Sequence, residues 1–239
     1  MSKSRKGLIV AGTNTAVGKT LVCGGLAAAL RGAGVDVGVM KPVESGCRVK
    51  GGDLVPEDAL FLRRMAKSED APGLINQYAL EQPLAPALAA RTEGVDIRMN
   101  IVVEAFLQLS ARHDVVLVEG AGGLLSPLGA GWSLPDLAKR LEAPVLLVAR
   151  NCLGTISQCL LALYHVRKEG IPLLGVVLNQ ASSPRSGLAE KLNPDAIRNW
   201  GKALVLGVVP FLERRDDATI TRAVKESLDL EPIMAWLRS

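Results

Sequence analysis

The run Leu8–Ala11 is wholly apolar and leads directly into Gly12-Thr13-Asn14-Thr15-Ala16-Val17-Gly18-Lys19-Thr20, which opens an Ala/Leu-rich stretch, Leu21–Leu30. Strand, glycine-bounded loop and helix in that order leave few folds open. A polyphosphate is held where backbone N–H groups, a helix N-terminus and one mobile cation converge. Glycines at the ends of the loop keep side chains out of that approach. Lys19 stands where a phosphate-binding lysine is needed, and Thr20 where a hydroxyl meets Mg²⁺. The usual pattern has about four residues between the glycines; here there are five, Thr13 to Val17. The competing interpretation is a plain strand-to-helix turn with an exposed lysine. The flanking apolar strand and helix favour the phosphate loop.

Further strand candidates follow at Asp36–Met40, Val115–Val118, Val145–Ala149, Leu173–Leu178 and Leu204–Val209. Several are continuous apolar runs rather than alternating ones, as strands buried on both faces require. Helical patterns fill the gaps. In Thr155–Lys168, Thr155 is placed to cap, Ile156, Leu160 and Leu163 share a face, and Gly170 follows as a stop signal. The alternation predicts an α/β chain: a doubly wound, mostly parallel sheet with helices on both faces, of the P-loop NTPase type. The 239 residues suit a single such domain over 1–239, with 1–6 as a mobile basic tail carrying Lys3, Arg5 and Lys6. Ser182–Gly187 is the best loop candidate and lies too late to divide two domains.

Composition narrows the function. Hydrophobic residues make up 49% and aromatics only 3%, so the core is built from Val, Leu, Ile and Ala. A formal charge of +4 suits anionic small ligands, while no basic stripe interleaved with aromatics points to nucleic acid. Cys23, Cys47, Cys152 and Cys159 form no C-x-x-C pair, and neither His113 nor His165 stands at metal-ligand spacing from them. They are expected to be reduced thiols. With no long apolar span and no signal-peptide core, the chain is expected to be soluble and cytoplasmic, without a membrane partner.

In open α/β sheets ligands bind beyond the carboxyl ends of the strands, so the residues there carry the chemistry. The second strand runs into Lys41-Pro42, and the proline keeps Lys41 extended. Asp114-Val-Val-Leu-Val-Glu119 ends in an acid followed by Gly120-Ala121-Gly122-Gly123, an arrangement that holds Mg²⁺ directly or through water. Later strands run into Asn179-Gln180 and Pro210-Phe211. Each has a plainer alternative: Lys41 snorkelling to solvent, Glu119 an ordinary strand-end charge, Asn179 a turn former. From spacing alone, Asp58 is better explained as an acid favoured at a helix N-terminus. Mg²⁺ takes oxygen ligands and keeps waters. The residues thus point to ATP- or GTP-dependent phosphoryl transfer. Asn179-Gln180-Ala181-Ser182 lacks the Asn/Thr-Lys-x-Asp signature of guanine recognition, which disfavours GTP.

Together, Gly-Thr-x-Thr-x-Val-Gly-Lys-Thr (12–20), Lys-Pro-Val-x-Ser-Gly (41–46), Asp-Ala-Leu (58–60), Val-Glu-Gly-Ala-Gly-Gly (118–123) and Asn179 resemble the dethiobiotin synthetase family, in order and spacing, over about residues 7 to 213. The long phosphate loop is that family's own form. The resemblance implies an enzyme that closes the ureido ring of dethiobiotin from 7,8-diaminopelargonate, CO₂ and MgATP. It would proceed through a carbamate and a carbamic-phosphoric anhydride, releasing ADP and phosphate. It implies Lys41 and Lys19 as the catalytic cations, and Thr20, Asp58 and Glu119 as the Mg²⁺ site, which reverses the plainer interpretation of Asp58. Ala16, Val17, Gly18 and Leu21 would join Lys19 and Thr20 around the nucleotide, as would Glu119, Gly120, Ala121 and Gly122. Asn179, Gln180, Pro210, Phe211 and Leu212 would face adenine. Thr15 and Ser45 would contact the diamine. The family is a homodimer, and the helix start at Gly154–Thr155 would take the substrate carboxylate from across it.

Two departures and three rivals bear on this. Many family members carry acids in the phosphate loop where this chain has Asn14 and Ala16, which places substrate affinity, rather than reaction type, in question. Partitioning ATPases carry an early Lys-Gly-Gly that is absent here, and cobyrinate amidases append a glutamine-hydrolysing domain that this chain is too short to hold. A nucleotide-gated switch would hydrolyse ATP slowly without any small substrate.

Overall fold

The computed structural model describes residues 6–182 and 187–239. The basic residues Lys3 and Arg5, and most of the Ser182–Gly187 loop, lie outside those ranges. Lys6 is not part of a mobile tail: its ammonium donates to the Trp236 and Leu237 carbonyls at 3.1 and 2.7 Å.

The centre is a six-stranded sheet of β1 (Gly7–Gly12), β2 (Val37–Met40), β3 (Val115–Glu119), β4 (Val145–Arg150), β5 (Leu173–Asn179) and β6 (Val205–Val209). Their spatial order is β6-β5-β4-β1-β3-β2 and every pairing is parallel. All six sequence-predicted strands are present. Two start one residue later than predicted, at Val37 and Val205, and four extend further into the glycine or polar residues at their tips.

Pleating sends alternate residues to opposite faces, and each face is covered. Leu8 and Val10 pack under α1 (Lys19–Gly32) and α2 (Glu57–Ala66), together with the C-terminal helices Asp217–Ser227 and Glu231–Arg238. Ile9 and Ala11 pack under α3 (Met99–Ser110), α4 (Leu134–Arg140), α5 (Thr155–Lys168) and α6 (Leu188–Gly201). Both faces are dry, which is why the strands are continuous apolar runs. From β1 the chain builds β2 and β3 on one side, then β4, β5 and β6 on the other. The order therefore reverses beside β1, the position where such sheets open a crevice.

Two expectations for α5 need correction. Thr155 does not cap it: the N-cap is Gly154, at φ 91, and no side chain caps the helix. The turn into α5 needs a left-handed residue, which glycine adopts at low cost. Thr155 is then the first helical residue, buried with its hydroxyl 3.8 Å from Cys159 Sγ. The buried stripe is Thr155, Cys159, Ala162, Leu163 and Val166, with Ile156 and Leu160 only half-buried at its edge. Gly170, at φ 68, ends the helix as expected.

Three two-stranded ribbons were not foreseen: Val43–Ser45 with Tyr78–Leu80, Arg48–Lys50 with Asp53–Val55, and Pro127–Gly129 with Trp132–Ser133. The first of these extends the Lys41 segment along one side of the crevice.

Candidate active site

Parallel pairing places every carboxyl-terminal strand end on one rim. Gly12 stands opposite Val148, Val10 opposite Glu119, Met40 opposite Val118, and Arg150 opposite Asn179. The residues just beyond these positions enclose a cleft of about 530 Å³.

The phosphate loop forms its floor. Gly18 has φ 97, and a Cβ there would lie 2.0 Å from Asn179 Nδ2. That amide donates to the Val17 carbonyl at 2.9 Å and so ties the tip of β5 to the loop. Lys19 is 6% exposed and its ammonium donates to the Asn14 carbonyl at 3.1 Å, arching back over the loop. Burial, reinforced by the nearby charge of Lys41, lowers its pKa to about 8. Ala16 adopts a left-handed φ of 56, a strained conformation for a residue with a Cβ.

Lys41 and Glu119 form the wall. Lys41 Nζ lies 2.6 Å from Glu119 Oε1 and 2.9 Å from Asp58 Oδ2, and the Thr20 hydroxyl donates to the same Oε1 at 2.8 Å. Burial acts to lower the Lys41 pKa, but the charges of Glu119 and Asp58 outweigh it and hold the ammonium protonated. Burial pushes the Glu119 carboxyl up, against the pull of Lys41. Glu119 is 0% exposed, and its Oε2 is buried without any hydrogen-bond partner among the described residues. A buried carboxylate oxygen left open carries a desolvation cost. A cation bound beside Thr20 and Asp58 would offset it. That oxygen donor set of one hydroxyl and two carboxylates fits Mg²⁺, which completes its shell with water and phosphate.

Asn76 and Ile75, at the end of the one-turn helix Pro72–Ile75, fix the Lys41 backbone. Lys41 N–H donates to the Ile75 carbonyl and Asn76 Nδ2 donates to the Lys41 carbonyl, each at 2.7 Å. Ser45 donates to the Leu84 carbonyl at 2.8 Å and faces the cleft. Gly122 has φ 71, and Gly123 N–H donates to Ser126 Oγ at 2.9 Å, which shapes the turn after Glu119.

Of the sequence-predicted residues, Thr15, Ala16, Gly18, Lys19, Thr20 and Leu21 line the cleft from the loop. Lys41, Ser45, Asp58, Glu119, Ala121 and Gly122 line the wall, and Asn179, Gln180, Pro210 and Leu212 the far end. Val17 is buried behind the loop and contributes its carbonyl, Gly120 packs against Leu134, and Phe211 does not line the cleft. Gly154 and Thr155 lie outside it. Gly154 instead borders a separate apolar surface with Ile156, Leu160, Leu161 and Trp200. The sequence reasoning missed Glu44, Arg150 and Arg215, which all line the cleft. Arg150 is the last residue of β4, so the strand-end rule applied to that strand would have found it.

Cys23, Cys47 and Cys159 are buried and offer no nucleophile. Burial pushes Cys23 well up, and Cys47 and Cys159 to about 11. Among the described residues, no group of three or more His, Cys, Asp or Glu residues forms a metal site, and no helix is long and apolar enough to cross a membrane.

Residues 6–219 match the AAA_26 family model, described as an AAA domain. An ATP-dependent dethiobiotin synthetase of Anaeromyxobacter sp. (strain K) is 44% identical over 206 residues, covering 86% of this chain and 90% of that protein. The enzyme of that name from Bacillus licheniformis is 38% identical over 232 residues, 96% of each chain. That from Thermodesulfovibrio yellowstonii is 34% identical over 238 residues, 97% of this chain and 99% of that protein.

Proposed function

We propose, from the premise that this chain belongs to the ATP-dependent dethiobiotin synthetase family, that its cleft closes the ureido ring of dethiobiotin on 7,8-diaminopelargonate with CO₂ and ATP. The observation that carries the reading is the convergence of Lys41, Glu119, Asp58 and Thr20 beside the phosphate loop. One amine of the substrate adds to CO₂ and loses a proton, giving a carbamate. A carbamate oxygen attacks the γ-phosphorus and ADP leaves. The second amine attacks the carbonyl of the resulting anhydride, the ring closes and phosphate leaves.

The chain's own task is to bring two anions together. Lys41, fixed through its backbone at the tip of β2, lies between carbamate and γ-phosphate in this reading. Lys19 and the N–H groups at the start of α1 hold the β- and γ-phosphates. Fixed cations in a dry cleft act where charge develops and do not reorganise during the reaction. Thr20, Asp58 and Glu119 would hold Mg²⁺, which when bound neutralises charge on the β- and γ-phosphate oxygens. Asn179, Pro210 and Leu212 face the base. No side chain need form a covalent bond, in keeping with the burial of Cys23, Cys47 and Cys159.

The reading extends to a homodimer, with the whole chain acting as one P-loop NTPase unit. Leu153, Leu161, Tyr164 and Trp200 are 87, 69, 67 and 69% exposed. So much clustered apolar surface suits a second copy. In this reading Gly154 and Thr155, at the start of α5, would complete a neighbour's substrate pocket through their backbone, since the Thr155 side chain is buried in its own chain.

The test is ADP release measured with the diamine and bicarbonate added singly and together. Turnover only with both supports the synthetase. ATP hydrolysis that ignores both would refute it.

A further inference from the structure

We infer that Glu44 is a positioning residue: its carboxylate, clamped to the first turn of α2, sets where Asp58 meets Lys41. Glu44 is 7% exposed, in the short strand Val43–Ser45. Its Oε1 accepts from Asp58 N–H at 2.9 Å and its Oε2 from Ala59 N–H at 3.0 Å. These are the second and third N–H groups of α2, which a helix's own N-cap side chain ordinarily satisfies. Here the N-cap is Pro56, which makes no side-chain cap bond. Glu44 caps the helix from another element, and its negative charge suits the positive end of the helix dipole.

Each oxygen of Glu44 accepts from a backbone donor of α2, which fixes the carboxylate against the helix. Asp58 depends on that support. Its side chain is 42% exposed, and its one side-chain hydrogen bond among the described residues is to Lys41. Lys41 is three residues before Glu44, so one short segment carries the ammonium, the clamp on Asp58 and Ser45. The separation between ammonium and carboxylate is thereby set by that segment, and not by the hairpin that joins Ser45 to α2.

This inference rests on the proposed role of Asp58 at the Mg²⁺ site. The probe is β,γ-methylene ATP, titrated calorimetrically with Mg²⁺ and again with EDTA. The readout is the ratio of the two affinities, which reports the metal without turnover. Glu44→Gln keeps one acceptor, turns an amide N–H₂ toward the other backbone donor and loses the charge. It is expected to cut the ratio by about 10- to 100-fold, the range typical when the hydrogen-bond partner that orients a metal ligand is removed. Metal-free affinity should stay unchanged. Glu44→Asp, which keeps the charge but is one methylene short, should fall between Gln and wild type. In an Asp58→Asn background, Glu44→Gln should cost nothing further.

If Asp58→Asn leaves the ratio intact, the metal role of Asp58 fails, and the positioning role with it. If Asp58→Asn lowers the ratio but Glu44→Gln does not, or their losses multiply, the positioning role alone is overturned. Equal losses with and without Mg²⁺ in both Glu44 variants, or variants that fail to fold, would assign Glu44 to the fold alone and overturn it as well.

Discussion

The Lys41 ammonium lies 2.6 Å from Oε1 of Glu119, a fully buried carboxylate whose other oxygen has no hydrogen-bond partner among the described residues. The pair is half of an arrangement: the Lys41 ammonium and the Thr20 hydroxyl share Oε1, and Asp58 meets the same ammonium from its other side. Breaking a buried pair from one side strands the remaining charge.

Lys41→Ala should therefore separate chemistry from binding. Ring closure is expected to fall by about 10²–10³-fold or more, the scale seen when one fixed transition-state donor is lost. Affinity for nucleotide with Mg²⁺ should stay within a few-fold of wild type, since the phosphate loop and Lys19 are untouched. Without metal, the variant should lose about 3–5 kcal/mol of stability, as for a buried pair cut from one side. Product formation, calorimetry and thermal melts check the three parts, and wild-type turnover would sink the assignment.

Gly18→Ala should damage the nucleotide site while the sheet stays folded. The position has φ 97, and the new methyl would stand 2.0 Å from Asn179 Nδ2. Asn179 must then give up the Val17 carbonyl, or the loop must shift. Strain of about 1–3 kcal/mol at such a position should appear as a loss of ATP affinity of about 5- to 150-fold, read by calorimetry. An unchanged affinity would show that the Asn179–Val17 link does not shape the loop.

Leu161→Glu with Trp200→Glu should give a monomer by light scattering. Both residues lie on the exposed face of α5 and α6, far more open than apolar side chains usually are. ATP binding should survive in the monomer, because the cleft belongs to a single chain. Ring closure should be lost if Gly154 and Thr155 complete a neighbour's pocket. A fully active monomer would remove the dimer from the mechanism.

The sheet was legible because burial on both faces erases alternation and leaves short uninterrupted Val/Leu/Ile runs, which their length, β-branched content and flanking polar or glycine residues separate from helix. The rim was legible because Lys41 and Glu119 directly follow or end such runs. The ribbons around Ser45 and Gly129 were not, because pairs two or three residues long carry no periodicity. Glu44 was invisible for a different reason. Its partners are backbone N–H groups of Asp58 and Ala59, which have no sequence signature, and only the packing of α2 against the Lys41 segment brings them together. Likewise the residue type of Thr155 fits a cap. Only the φ of 91 at Gly154 shows that the chain turns one residue earlier. His113 carried no signal either, yet its ring bridges Asp36 and Asp70 at 2.8 Å on each side.

That bridge gives a prediction in acid, away from the cleft. Burial acts to raise the Asp70 carboxyl, but hydrogen bonds from Ser68, His113 and Arg112 outweigh it and hold the carboxyl below the usual carboxylate range. A depressed pKa in the folded state means that the unfolded chain takes up the proton first as pH falls. The stabilising contribution is therefore complete above the unfolded value of about 3.9 and is lost as pH drops through the folded value below it. Asp70→Asn should destabilise the protein by about 1.5–3 kcal/mol at pH 7, the scale of hydrogen bonds to a charged group. The gap between wild type and variant should hold steady from pH 7 to about pH 5 and close only on further acidification. Urea melts of both proteins across that range measure the gap directly. A gap that closes already near neutral pH would place its origin in another group, and a gap that persists unchanged at pH 3 would mean that the Asp70 charge contributes nothing to it.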